Sequence, residues 1–211
     1  MEWIIQLPVL FFSVVIHEFC HGWVAYSHGD DTAEKAGRLT LNPLAHMDAF
    51  GTVFLPVLCF FTQSPMFGWA KPVPVNPKRF KEPIRDMMRV ALAGPGANLL
   101  IAFAAAILFK FVTISGMFTP AYKETIRQAL LFAVSINLIL AFFNLIPIHP
   151  LDGSKVIFGL LPERARRTYG RHVPYGMFII LMLVLTRKLS AFVLWPMRLV
   201  LGFWVKIGLL G

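Results

Sequence analysis

Charge is what this chain has least of: Asp, Glu, Lys and Arg together make up 15% of its 211 residues, against 57% hydrophobic. A mean hydropathy of +0.66 with so little charge excludes an ordinary water-soluble domain, in which about a quarter of residues are charged. Acidic residues are scarcer still, 11 against 20 basic ones. In a soluble chain that imbalance would suggest nucleic acid. In one this apolar it reads as basic loops on one face of a bilayer, with no nucleic-acid partner. Cysteine is nearly absent, and Cys20 and Cys59 both lie in apolar runs, so no disulfide framework is expected and packing is their role. Repeats and low-complexity tracts are missing as well. A cleaved leader is not expected either: Glu2 stands where a basic start belongs, the first apolar run is too long, and cleavage would discard His17 and His21.

What is present is a series of long apolar runs. Those at about 3–26, 90–112 and 129–146 can each cross about 30 Å of hydrocarbon. The run at 49–61 is too short, holds Gly51 and Pro56, and is expected to be re-entrant. Residues 68–77 carry Pro72, Pro74 and Pro77 and should be extended, as an edge strand or a polyproline-like segment. Basic residues gather in two places, Lys78 to Arg89 and a loop at 154–172 holding Lys155, Arg164, Arg166, Arg167 and Arg171. The remainder, 173–186 and 189–210, reads as a helical hairpin. The fold class is an all-α polytopic membrane protein, with 1–157 as its embedded core and 158–211 as a basic loop and carboxy-terminal hairpin.

Within the first run lies His17-Glu18-Phe19-Cys20-His21. Residues four apart on a helix sit about 40° apart around its axis, so both imidazoles face one point with the glutamate beside them. This is the H-E-x-x-H arrangement of a zinc site with a general base. Ionisable groups in a membrane-length apolar helix are costly and mark function.

A catalytic zinc takes three protein ligands and leaves a fourth position open. By chemistry the third is one of His46, Asp48, His149 and Asp152. Asp152 is favoured, because Pro147 and Pro150 break the third span just before it, and irregular backbone at membrane depth is tolerated where it lines a cavity. His46 and Asp48 sit in a polar loop and read as surface groups or supports for the ligands. His149 reads as solvated or hydrogen-bonded. For Asp152 to meet the histidines, the first and third spans must run the same way, which requires that 49–61 not cross. The two basic segments then share a side with the metal, the cytoplasm by the positive-inside rule, and the amino terminus is outside.

These residues resemble the site-2 protease family of intramembrane zinc metalloproteases, in its compact prokaryotic form without a PDZ domain. The resemblance extends to about Ile157. It is carried by the H-E-x-x-H motif, by Asn42-Pro43 with His46, Asp48 and Gly51, and by Gly94-Pro95 with Asn98. Its most specific part is Asn144-Leu145-Ile146-Pro147 running into Pro150-Leu151-Asp152-Gly153. It implies a three-helix catalytic core and one Zn2+ held by His17, His21 and Asp152. It also implies transmembrane proteins as substrates, cleaved within their helices, and a prokaryotic plasma (inner) membrane as the location. Asn144 matches a family asparagine linked to substrate handling near the metal.

The expected reaction is amide hydrolysis with Glu18 as the base and Asn144 bonding the oxyanion or substrate backbone. A substrate helix must unwind before its carbonyls can be attacked, and the stretch from Trp69 through Val73 to Val75 is the candidate edge for it, or else a proline-stiffened surface loop. Two rivals use the same residues: a metal-ion transporter, which gives Glu18 no necessary role, and an inactive scaffold, which needs neither ligands nor base.

Overall fold

The computed structural model describes residues 2–48 and 71–210, together with Gly51, Phe54 and Leu58. Eight α-helices are described: α1 (Glu2–Ser27), α2 (Thr32–Lys35), α3 (Pro83–Ile114), α4 (Pro120–Asn144), α5 (Asp152–Leu160), α6 (Glu163–Gly170), α7 (Gly176–Leu185) and α8 (Leu189–Lys206). Among the described residues there is no strand, so the all-α expectation holds. Five helical stretches in this part of the chain are long and apolar enough to cross a membrane: Ile5–Ser27, Pro83–Ile114, Pro120–Asn144, Glu163–Leu185 and Leu189–Lys206.

The molecule is apolar on its outside and polar at its centre. Leu100, Ile114, Phe178 and Trp195 are exposed, while Ser13, His17, His21, Asn98, Asn137 and Asp152 are buried. Water would reverse that arrangement and a bilayer favours it. The chain is an integral membrane protein.

Helix boundaries differ from those expected where polar turns continue an apolar helix. Pro83 at the first turn of α3 needs no N–H partner there, and the Asp86 carboxylate accepts the Glu82 N–H at 3.0 Å, so the helix starts inside the basic stretch. Its 32 residues span about 48 Å, which leaves the turn with Arg85 and Arg89 outside the hydrocarbon. Likewise α4 starts at Pro120 rather than near 129, through polar turns that include Tyr122, Lys123 and Glu124. The loop expected at 154–172 is a correction: α5 and α6 fill most of it. At nine and eight residues these helices are too short to register as membrane-length apolar runs, and α6 is strongly basic as well.

Helices α1 and α3 pack antiparallel, with His21 beside Val90 and His17 beside Asn98. On the same level α1 meets α4, where Ser13 accepts a hydrogen bond from Asn137. Further along α3, Ala102, Ala105 and Ala106 form an apolar cluster with Val134 and Leu138 of α4 and Trp204 of α8. Alanines there let the backbones approach closely.

The carboxy-terminal third braces the loop after α4. Val193 packs on Ile146 and Leu151, the Tyr169 hydroxyl donates to the Pro147 carbonyl at 2.8 Å, and a Cβ on Gly176 would lie 2.0 Å from the His149 carbonyl oxygen.

Residues 71–76 are extended but pair with no strand among the described residues. Pro72 and Pro74 remove alternate N–H donors, and the remaining groups are held individually. Lys71 N–H donates to the His46 carbonyl at 2.9 Å, Arg38 reaches the Lys71 and Pro72 carbonyls at 3.3 Å, and Asn76 N–H donates to buried Asp30 at 2.6 Å. The expected re-entrant element at 49–61 falls outside the described residues except at Gly51, Phe54 and Leu58.

Candidate metal centre

His17 and His21 project from one face of α1, and Asp152 is the first residue of α5. The three are buried and converge. His21 Nε2 lies 3.0 Å from His17 Nε2 and 3.0 Å from Asp152 Oδ2, and His17 Nε2 lies 3.3 Å from the same oxygen. Among the described residues this is the one His, Cys, Asp or Glu group able to hold a metal ion.

The hydrogen bonds behind the imidazoles decide what occupies the centre. His17 Nδ1 lies 2.5 Å from Asn98 Oδ1, and His21 Nδ1 lies 2.7 Å from the Val90 carbonyl oxygen. Both partners are acceptors, so both Nδ1 atoms carry hydrogen and, in the neutral rings, both Nε2 atoms present lone pairs. Two such nitrogens and a carboxylate oxygen 3.0–3.3 Å apart repel one another unless a cation sits between them. A tetrahedral zinc with ligands at about 2.0–2.1 Å has ligand-to-ligand edges of about 3.3–3.4 Å, so the cluster is close to the size of three corners of that tetrahedron. The residues fit zinc, and the fourth corner remains for water or substrate.

Backbone without side chains makes room for this. A Cβ on Gly94 would lie 2.5 Å from His21 Nε2 and 2.6 Å from His17 Nε2, so α3 passes over both rings only as glycine. Pro95 cannot donate to the Ala91 carbonyl, and the carbonyl of the preceding residue, Val90, receives His21. In the Leu151-Asp152-Gly153 motif, a Cβ on Gly153 would lie 2.2 Å from the Leu145 carbonyl oxygen, so the loop closes onto the end of α4 only with glycine. Lys155 holds the outer Asp152 oxygen, Oδ1, at 3.1 Å and leaves Oδ2 for the centre.

Glu18 is half-buried, and its Oε2 accepts the Val73 N–H at 2.8 Å. Val73 also packs where a Cβ on Gly22 would meet it, at 3.0 Å. The extended segment therefore runs beside the motif and touches its glutamate.

The other expected residues fall as follows. Asn98 is fully buried against His17. His46 is not a surface group: it is 1% exposed, and its Nε2 bonds the Thr40 carbonyl at 2.8 Å, because its short helix turns the ring inward. Asp48 accepts the Gly51 N–H at 2.6 Å. Asn144 donates to the Leu140 carbonyl at 3.0 Å on its own helix. His149 is half-buried in the loop, and Trp69 lies outside the described residues. Sequence reasoning passed over the Val90 carbonyl, Lys155, Ser13 and Asn137. Asn137 alone had a visible signal, an amide in the middle of an apolar span.

Comparison with known proteins agrees with this chemistry. The profile of Peptidase family M50 matches residues 6–186. YwhC of Bacillus subtilis (strain 168), named a zinc metalloprotease, is 41% identical over 189 residues, covering 89% of this chain and 83% of the relative. Rip2 of Mycolicibacterium smegmatis, also named a zinc metalloprotease, is 28% identical over 191 residues, 90% of this chain and 69% of its own length. The zinc metalloprotease MJ0392 of Methanocaldococcus jannaschii is 27% identical over 163 residues, 77% of this chain and 36% of its own. No solved structure matches. With a buried zinc-sized cluster inside an apolar helical bundle, and a family profile covering most of its length, the chain belongs to peptidase family M50 and is a membrane-embedded, zinc-dependent metallopeptidase.

Proposed function

We propose that this chain is an intramembrane protease that cuts peptide bonds within or near the transmembrane helices of other membrane proteins, as in regulated intramembrane proteolysis. The observation that carries the reading is the burial of His17, His21 and Asp152 at the centre of helices whose outer faces are apolar. In this reading the three residues hold one zinc ion, and residues 1–157 form the catalytic core.

When bound there, zinc polarises the scissile carbonyl and acidifies the attacking water. Glu18 would take a proton from the attacking water as the C–O bond forms and then deliver it to the amide nitrogen, after which the C–N bond breaks, the amine leaves and the base is regenerated. The Val73 N–H holds Oε2 of Glu18, leaving Oε1 to carry the proton. Asn144 keeps one Nδ2 hydrogen free of its bond to Leu140 and serves the substrate carbonyl. A substrate unwound from its helix lies along residues 71–76, where the carbonyls of Val73, Pro74 and Val75 offer acceptors. The positive-inside rule, applied to Lys78 to Arg89 and Lys155 to Arg171, supports a site toward the cytoplasm with the amino terminus outside, and the family resemblance supports a prokaryotic plasma membrane.

The transporter reading is not favoured, because it leaves Glu18 without a task. The test is metal analysis of purified protein beside cleavage of single-span model substrates. Glu18→Gln should keep one zinc per chain and lower cleavage by about 10²–10⁴-fold. Stoichiometric zinc with no cleavage of any membrane substrate by the wild type would overturn the reading.

A further inference from the structure

Behind the metal centre, three helices share a chain of buried polar groups. On α4, Asn137 Nδ2 donates to the Ala133 carbonyl at 2.9 Å and to Ser13 Oγ at 2.8 Å, and the Ser13 hydroxyl donates in turn to the Val9 carbonyl at 2.7 Å. On α3, Asn98 Nδ2 donates to Asn137 Oδ1 at 2.8 Å and to the Ser13 carbonyl at 3.3 Å. Asn98 Oδ1 then accepts from His17 Nδ1 on α1. Asn98 and Asn137 are 0% exposed, so water cannot substitute for any of these partners.

An amide can be turned end for end, and the network fixes which way it faces. A backbone carbonyl only accepts. The Ala133 carbonyl therefore requires the NH₂ of Asn137 on its side, which presents Oδ1 to α3. Asn98 must answer with its own NH₂, whose second hydrogen makes the longer 3.3 Å bond to the Ser13 carbonyl and favours the same orientation, and so presents Oδ1 to α1. His17 must then carry hydrogen on Nδ1, which leaves the Nε2 lone pair for the metal. Reversing Asn98 would set its NH₂ against Nδ1 and favour hydrogen on Nε2, the wrong atom.

We propose that Asn137, anchored by Ser13 and the Ala133 carbonyl, is a positioning residue that sets the tautomer of His17 through Asn98. This rests on the reading of His17 as a zinc ligand. It couples the docking of α4 against α1 to the competence of the centre, since the anchor and the ligand stand on different helices.

The test measures metal affinity, by competition with a chromophoric chelator, and the electronic spectrum of the cobalt-substituted protein, both in detergent. Asn137→Leu, close in volume, should weaken zinc binding about tenfold or more and perturb the cobalt bands. Adding Asn98→Asp should restore affinity and spectrum to within about threefold of wild type, because a carboxylate accepts from Nδ1 whichever way it turns. A residue that only packs helices would lower the melting temperature of metal-free and metal-loaded protein equally and leave affinity unchanged. That outcome, or failure of the Asn98→Asp pair to rescue, overturns the inference. If Asn137→Leu does not accumulate, the Asn98→Asp/Asn137→Leu protein decides alone, since weak zinc binding by it counts against the relay. Absence of zinc binding by the wild type would instead remove the metal reading itself.

Discussion

The α1/α3/α4 interface and the α3/α4/α8 interface are built from opposite materials. Around His17 the helices meet through Asn98, Asn137 and Ser13, all buried and hydrogen-bonded. Toward the other end of α3 they meet through Ala102, Ala105, Ala106, Val134, Leu138 and Trp204, with no polar atom except the indole N–H. In lipid, burying apolar side chains gains little from leaving water, so the second interface holds by close packing alone. The first holds by directed bonds, one of which, from His17 to Asn98, reaches a residue of the candidate metal centre. Damage at the two places should therefore separate: metal binding at one, bundle stability at the other.

The largest effect should follow from adding one methyl group to the polar interface. Gly94→Ala puts a Cβ 2.5–2.6 Å from both ligand nitrogens, on a helix that cannot retreat without breaking the Val90–His21 and Asn98–His17 bonds. Zinc affinity should fall by about 100-fold, the upper range for disturbing the groups that support ligands, and cleavage should fall with it. Chelator competition measures the first. Wild-type zinc affinity in Gly94→Ala would mean that α3 does not approach α1 as described.

Trp204→Ala tests the other side of the comparison. It removes the largest side chain from the apolar cluster, and stability read from the melting transition should drop by about 3 kcal/mol, the low end for a buried Trp→Ala change, because lipid chains fill part of the space. Zinc affinity should stay within about twofold of wild type. A loss of zinc as large as that of Gly94→Ala would show that the two interfaces form one unit.

The same contrast explains what was legible beforehand. The convergence of His17, His21 and Asp152 could be read from residue type and spacing, since polar groups in apolar spans are few and must find partners. The parallel course of the first and third spans followed once Asp152 had to meet the histidines. Helix ends were harder to read. The start of α3 at Pro83 lies in polar sequence, and the helices at 152–170 are too short for hydropathy to register as spans. Val90 could not have been found from its side chain, because its carbonyl does the bonding, and any residue type supplies one. Of the two readings of His46, the surface one fails, because a polar loop does not reveal that a short helical turn buries its ring.

The smallest effect should come from a third kind of contact, between charges at the water-facing end of α1. The Lys35 ammonium, hydrogen-bonded to Asp31, and Arg79 beside it hold the Asp31 carboxyl below its ordinary value. A carboxyl lowered by folding adds stability that is complete above its unfolded-state value and is lost as pH falls through its folded-state value. Asp31→Asn should therefore melt lower than wild type near neutrality, by no more than about 2 °C given the solvent screening of an exposed pair. The gap should close on acidification, and zinc affinity should be unaffected throughout. Measuring the difference between the two proteins at each pH cancels the larger losses that acid imposes on both through the metal ligands. Arg79 belongs to the segment that continues from Val73, so a fall in cleavage by Asp31→Asn at neutral pH, with zinc retained, would mean that this surface pair helps hold the 71–76 stretch against Glu18. Unchanged cleavage would leave that task to Asp30, Arg38 and His46, which bond the segment directly.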